Sequence, residues 1–85
     1  MDWDVTQVRV VNDHTLHVSF RDGIAGLVHF EATFFSGVFE PLRNLAEFRT
    51  VQVVDGFVTW PSGNLDLAPD AMHDEIKANK QMILK

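Results

Sequence analysis

Apolar and polar residues alternate along three consecutive stretches in the first third of the chain, at residues 5–11, 16–20 and 24–30. Alternation with a period of two is typical of a strand that buries one face. The stretches are separated by Asn12-Asp13 and by Arg21-Asp22-Gly23, which contain residues that favour turns. The pattern therefore predicts a three-strand antiparallel meander.

The turns also determine which residues of the meander face each other. Pairing Val10 with Leu16 brings Val8 opposite Val18, and the second turn places Gly26 opposite Val18 on its other side. Because Gly26 has no side chain and belongs to the apolar face, we expect it to leave space for an element packed above the sheet.

A second, shorter pattern surrounds Asp55-Gly56, a pair that favours the type I′ turn of a β-hairpin. The flanking residues 51–54 and 57–60 then pair so that Trp60 shares one face with three valines, while the other face is polar except at its tip. We therefore expect Trp60 to point inward and to contribute its large ring to the core.

Three segments favour helix or irregular structure. Residues 31–35 break the alternation and predict a single helical turn or a loop, and residues 40–48 space apolar side chains by three, which favours a short helix. Residues 68–80 carry acids early and lysines late, and predict a helix that covers the sheet. We expect residues 1–85 to form one α+β domain. Its antiparallel sheet of about five strands joins the meander to the Asp-Gly hairpin, with a short middle helix and a C-terminal helix packed on one face.

The densest group of turn residues lies between the hairpin and this last helix. Trp60 ends a strand, Pro61 cannot continue a ladder, and Gly63 supplies the backbone freedom of a turn. We interpret Asp66 as a residue that caps or locks this turn, ahead of Pro69 in the first turn of the helix. These five residues predict a structural motif, with no catalytic group among them.

Composition narrows the possible functions mainly by exclusion. The absence of cysteine removes disulfides, thiolate zinc sites and thiol nucleophiles. The net charge of -5 opposes direct binding of nucleic acid, and no segment reaches the length of a membrane span. Glycine loops that bind phosphate are absent, so we expect no cofactor. The acidic start does not resemble an export signal, and we expect a cytoplasmic protein.

The histidines of the meander are the first candidates for chemistry. His14, His17 and His29 would have to converge closely on one ion to form a metal site. His14 precedes its strand and Leu27 separates His29 from His17 across the sheet, so the spacing opposes convergence. We interpret all three as surface histidines and expect no metal site.

A second chemical hypothesis is a small hydrolase or metal-dependent enzyme that uses Asp66, Asp70 and His73, with Glu75 as a further candidate. Paired carboxylates and an imidazole are the usual groups for acid–base work. The simpler interpretation is that Asp66 holds a turn and that His73 lies solvated on a helix face. A change of Asp66 to Asn would separate the two, since only the enzyme hypothesis predicts lost activity with unchanged stability.

Two apolar segments are candidates for a partner contact. The chain has Phe34-Phe35 in an irregular region and Met82-Ile83-Leu84 near residue 85. A small domain seldom presents three consecutive apolar residues at an end unless they dock on something. They either cap the core or contact a homodimer mate or another protein, and no catalytic residue is needed for that function.

Several motifs resemble one bacterial family. They are Leu16-x-Val18-x-Phe20-x-Asp22-Gly23, Phe39-x-x-Leu42 with Phe48, Trp60-Pro61-x-Gly63, and Asp66-Leu67-Ala68-Pro69-Asp70. Together they resemble the domain-of-unknown-function family numbered twenty-four forty-two over nearly the whole chain. In this chain His73 stands where the family often has tyrosine.

The resemblance implies a small α+β protein, encoded beside another small protein in what look like toxin–antitoxin pairs, and it provides no catalytic residues. Some members of the family carry an added helix-turn-helix domain. We therefore expect a non-enzymatic protein-interaction module similar to the antitoxin-like half of such a pair. Its partner would be a basic protein encoded nearby, because the chain is acidic. An alternative is a regulator that acts on DNA only through a partner.

Overall fold

The computed structural model describes residues 3–61 and 65–85, and their strands form two sheets. The strands are β1 (Val5–Asn12), β2 (Thr15–Phe20), β3 (Ala25–Phe30), β4 (Gln52–Val54), β5 (Phe57–Trp60), β6 (Leu65–Leu67) and β7 (Gln81–Leu84). The α-helices are α1 (Leu45–Phe48) and α2 (Pro69–Asn79), and two 3₁₀-helices span Ala32–Phe34 and Gly37–Arg43. The first sheet has the order β1-β2-β3-β7 and the second has the order β4-β5-β6. The α+β class is confirmed.

The predicted registers of the three hairpins are confirmed. Val10 faces Leu16 and Val8 faces Val18 in β1 and β2, while Gly26 faces Val18 from β3. In the second sheet Val54 faces Phe57 across the Asp-Gly turn, and Trp60 is completely buried. These registers follow from short turns, so local sequence was enough to determine them.

The prediction of a single antiparallel sheet of about five strands is wrong. The hairpin forms a separate sheet with β6, and β7 adds to the meander in parallel with β3. Helix α2 ends where Lys80 takes a left-handed conformation with φ of 66°, and the chain then returns along β3. A segment of four residues carries too little pattern to reveal a partner strand so far away in sequence.

Gly26 has the role expected of it. A Cβ atom added there would lie 2.5 Å from the carbonyl oxygen of Lys80 and 2.6 Å from Cγ2 of Ile76. No side chain fits at such distances unless the helix moves. The lack of a side chain at Gly26 therefore lets the end of α2 approach the sheet, which also brings β7 beside β3.

The helical predictions are confirmed in part. The expected turn within residues 31–35 is the first 3₁₀-helix, and α2 begins with Pro69 as expected. The segment 40–48 forms two short pieces in place of one helix, because Asn44 is extended and starts α1 anew. Its side-chain oxygen accepts hydrogen bonds from the N–H groups of Ala46 and Glu47, a typical N-cap arrangement.

Aromatic rings fill one end of the core. The ring centroids of Phe30 and Phe48 are 5.2 Å apart, and those of Phe48 and Trp60 are 5.8 Å apart. The indole Nε1–H of Trp60 donates to the backbone oxygen of Phe48 at 2.8 Å, so its one polar atom is satisfied within the core. We call this group, with Phe34 and Phe35, the aromatic cluster.

Candidate interaction surface

In the tryptophan–proline segment, Asp66 does not have the position predicted for it. Asp66 is exposed in the middle of β6, where it faces Thr59 between the buried Leu65 and Leu67. Its expected role in capping or locking a turn is therefore wrong. The three residues 65–67 already alternate as a short strand does, and the surrounding turn residues hid that pattern. Gly63 lies outside the described residues, while Pro61 is exposed directly after β5 and Pro69 is buried at the start of α2.

The residues of the enzyme hypothesis have separate surroundings. Asp66 is exposed on the second sheet, while an oxygen of Asp70 accepts the N–H of Ala71 at the start of α2. Glu75 accepts a hydrogen bond from Asn79 on the outside of that helix. Within residues 3–61 and 65–85, no group of three or more histidines and acids is arranged to hold a metal ion. The described structure thus does not assemble the predicted constellation.

His73 was expected on a solvated helix face, and that expectation is wrong. The residue is only 8 % exposed, and its Nε2 lies 2.8 Å from Oδ2 of Asp22 in the β2–β3 turn. The ring also meets the edge of Phe20, with centroids 5.1 Å apart. The pair therefore ties the turn of the meander to α2, across 51 positions of sequence.

Asp22 stabilises this connection from both of its oxygens. Oδ1 accepts the N–H of Ile24 at 3.1 Å while Oδ2 binds His73. The hydrogen bond from His73, and next the one from Ile24, lower the pKa of Asp22 below its ordinary value. These hydrogen bonds join the β2–β3 turn to α2, and we call the Asp22–His73 pair a structural clamp. In the sequence, Asp22-Gly23 indicated a turn but did not indicate the contact with His73.

The meander histidines also differ from the prediction at one position. His14 is partly buried, its Nε2–H donates to the backbone oxygen of Leu42 at 2.9 Å, and its ring lies 4.7 Å from that of Phe35. It packs against the aromatic cluster and is not a surface histidine. His17 and His29 lie on the outer face of the first sheet, half-buried and diagonal to each other, as the register predicted.

The residues predicted to contact a partner lie in two different environments. Phe35 is only 2 % exposed and packs in the aromatic cluster, and Phe34 is half-buried against Phe39. Met82 and Leu84 are also half-buried and pack against the core from β7. Ile83 faces outward with 47 % of its surface exposed, so it is the most accessible of the five.

Ile83 also lies on an open edge of the first sheet. The N–H of Glu31 donates to the oxygen of Leu84, so the even-numbered residues of β7 direct their backbone groups to β3. In a parallel ladder the alternate residue, Ile83, directs its N–H and C=O away. A groove of about 440 Å³ runs along this edge and is lined by Glu75, Asn79, Gln81, Ile83 and Lys85.

The opposite edge of this sheet is β1. Phe20 donates its N–H to Ile24, and Phe30 donates to His14, so the even-numbered residues of β2 bond to β3. The odd-numbered residues of β2 therefore bond to β1, where their partners are Gln7 and Arg9. It follows that the backbone groups of Val8 and Val10 point away from the sheet.

A larger groove lies beside these backbone groups. It has a volume of about 590 Å³ and runs between residues 8–13 of β1 and its turn on one side and Arg49 and Val51 on the other. Sequence reasoning did not find either open edge, because an edge is defined by strand order and the place of β7 was unknown. The alternation of Val8 and Val10 was visible, but it indicated only their inward-facing side chains.

Comparison with known proteins identifies a family but no function. A comparison with curated proteins found no match. A comparison with solved structures found none either. Among the helices of the described residues, none has the length and apolar content needed to cross a membrane. The model of one family matches residues 5–78, from β1 almost to the end of α2 and short of β7. The chain therefore belongs to the family described as protein of unknown function (DUF2442).

Proposed function

We propose that this protein is a cytoplasmic, non-enzymatic interaction module that binds a small protein encoded beside it, as the antitoxin-like half of a two-gene pair. The observation that carries the proposal is the open β7 edge, where Ile83 offers both an exposed side chain and backbone groups directed away from β3. Unpaired strand edges are ready templates for pairing with another chain. A binding module needs such a surface and no catalytic group.

The surroundings of Ile83 favour a defined contact. Met82 and Leu84 pack against the core on either side of it, so β7 is held in place before a partner arrives. Binding to an ordered edge avoids much of the entropy cost of ordering a loose tail. The groove beside it gives side chains of the partner a place to lie.

Charge favours a basic partner. The chain has a net charge of -5, which favours a basic partner for the protein as a whole, while the groove at this edge is lined by one acid, Glu75, and one base, Lys85. Opposite net charges accelerate encounter and suppress wrong partners, and the effect weakens as salt rises. We therefore expect association to slow markedly between low and physiological ionic strength.

The test is co-expression of the tagged protein with the product of the adjacent gene. The wild type should retain that protein at an equal molar ratio, and the adjacent product expressed alone should slow growth. Ile83→Ser should weaken binding by about tenfold or more, because it removes an exposed apolar anchor. The matched control is Val38→Ser, since Val38 is 71 % exposed on a 3₁₀-helix and makes no part of this edge.

Two results would contradict the proposal. If the adjacent product neither binds nor harms the cell when expressed alone, the two-gene function is wrong. If it binds but Ile83→Ser and Val38→Ser behave alike, the module function stands and the β7 edge is not its surface.

A further inference from the structure

We propose that the open edge of β1 is a second, independent binding site, which takes an extended acidic segment of a partner protein as an added strand. The site consists of the outward backbone groups of Val8 and Val10 and the groove between β1 and Arg49. It lies on the opposite edge of the first sheet from β7, because the strand order is β1-β2-β3-β7. The proposal therefore does not depend on the contact assigned to Ile83.

Backbone geometry provides the first reason. Val8 and Val10 are two residues apart, so their N–H and C=O groups present the repeat that an adjacent strand requires. The start of β1 is occupied, because the N–H of Val5 donates to the oxygen of Gly56, which belongs to the turn of the second sheet. The open part of the edge is thus the part beside the groove.

The side chains around the groove provide the second reason. Val8, Val10 and Val51 are half-buried and contribute apolar surface that continues into the core. An added strand has alternate side chains directed to this side, so apolar residues at every second position of the partner would be buried there. A volume of about 590 Å³ is ample for several side chains.

Charge provides the third reason and specifies the occupant. Arg9 and Arg49, two of the four arginines in an acidic chain, line this groove, and Asp13 is the one acid among the described lining residues. Both arginines are exposed and able to form paired hydrogen bonds with carboxylates. The groove is thus locally positive on a protein of net charge -5, which favours an acidic segment over a basic one.

A second copy of the chain fits this edge less well. The register that pairs Val8 of each copy with Val10 of the other would place the two Arg9 side chains opposite each other. Like charges at directly opposed positions destabilise a sheet. Two chains of net charge -5 would also repel each other at low salt.

The experiment is titration with a synthetic peptide of about ten residues that alternates valine and glutamate, a typical strand length. The control peptide has lysine at every glutamate position. Binding is measured by fluorescence anisotropy, and its location by amide hydrogen exchange. We expect the acidic peptide to bind about tenfold or more tightly than the basic one and to protect the amides of Val8 and Val10.

Three variants with the same change in net charge locate the site. Arg9→Glu and Arg49→Glu should each weaken binding of the acidic peptide by about tenfold. Arg43→Glu should leave it unchanged, since Arg43 ends the second 3₁₀-helix away from this groove. Ile83→Ser should also leave it unchanged, which separates this site from the β7 edge.

Several outcomes would overturn the proposal. Equal binding of the two peptides would exclude acidic specificity, and an equal loss in all three arginine variants would reduce the effect to net charge. Protection of the amide of Ile83 in place of those of Val8 and Val10 would place the peptide at the β7 edge and not at the β1 edge. Concentration-dependent protection of Val8 without peptide, together with a dimer in sedimentation, would show that a second copy occupies the edge.

Discussion

The two ends of the inner face of the first sheet are built in different ways. At one end Phe30 meets the rings of Phe48 and Trp60, which are contributed by α1 and by the second sheet. At the other end α2 lies so close to the strand that Gly26 has no space for a side chain. The first end depends on large side chains that fill the core. The second end depends on the absence of a side chain at Gly26, which lets α2 lie close to the strand. The aromatic end should therefore be damaged most by removing atoms, and the helical end by adding them.

The largest effect is expected at the aromatic end. Trp60→Ala should lower the free energy of unfolding by about 3–5 kcal/mol, because a fully buried indole leaves a cavity that the surrounding rings cannot fill. Urea unfolding followed by circular dichroism measures this loss. Near-wild-type stability would mean that Trp60 does not support the core as the register implies.

A smaller change at the same position separates volume from hydrogen bonding. Trp60→Phe keeps most of the ring but removes the indole N–H, and the carbonyl oxygen of Phe48 then keeps only the backbone N–H of Val51, 3.3 Å away. We expect a loss of about 0.5–1.5 kcal/mol beyond the reduced volume, the usual net contribution of one hydrogen bond, as measured by urea unfolding.

At the helical end we expect Gly26→Ala to lower the free energy of unfolding by about 1–3 kcal/mol, because the new methyl group would collide with Lys80 and Ile76. Without this collision the substitution would be neutral or stabilising, since glycine weakens a strand. The sign of the effect is thus informative by itself.

Ile76→Ala provides the control for the contact at Gly26. This variant is destabilising alone, but it removes one of the two groups that the new methyl meets. The cost of Gly26→Ala should therefore be smaller in the Ile76→Ala background than in the wild type, as measured by a double-mutant cycle. Additive costs would show that the two positions do not touch.

The same comparison explains how far the sequence was informative. Gly26 and its neighbours lie in short hairpins, where turn residues determine the register, and the space above Gly26 was predicted from that register. At the aromatic end residues 31–39 have no regular period, so the burial of Phe35, and of His14 against it, could not be predicted. Periodicity reports a face of a regular element and is silent where the backbone is irregular.

The interaction surface was predictable only at one residue. Ile83 was among the expected contact residues, and its exposure agrees with that use without testing it. The open edge of β1 was not predicted. It exists because β7 pairs with β3 and so adds to the meander on the side away from β1. Long-range pairing of short strands leaves little trace in a single sequence, and both open edges follow from it.

The smallest effect is expected at the clamp between Asp22 and His73 of α2. Its contribution to stability depends on pH, whereas that of the Trp60 hydrogen bond does not. The pKa of Asp22 is lowered in the folded protein, chiefly by the hydrogen bond from His73. The clamp therefore contributes stability above the unfolded pKa of aspartate, near pH 4, and loses it as the pH falls through the lower folded value. The indole bond of Trp60 has no group that titrates in this range.

Asp22→Asn should accordingly reduce stability at pH 6 and approach the wild type as the pH falls below the lowered folded pKa of Asp22, where the wild-type carboxyl is protonated as well. Urea midpoints measured at intervals between pH 2 and pH 7 provide the test. Asp13→Asn, at the neighbouring turn of the meander, is the control for the loss of one surface carboxylate. If Asp22→Asn shifts the urea midpoint equally at every pH, the loss of stability comes from the turn and its hydrogen bond to Ile24. The contact between the carboxylate and the imidazole of His73 would then not stabilise the packing of α2 on the sheet.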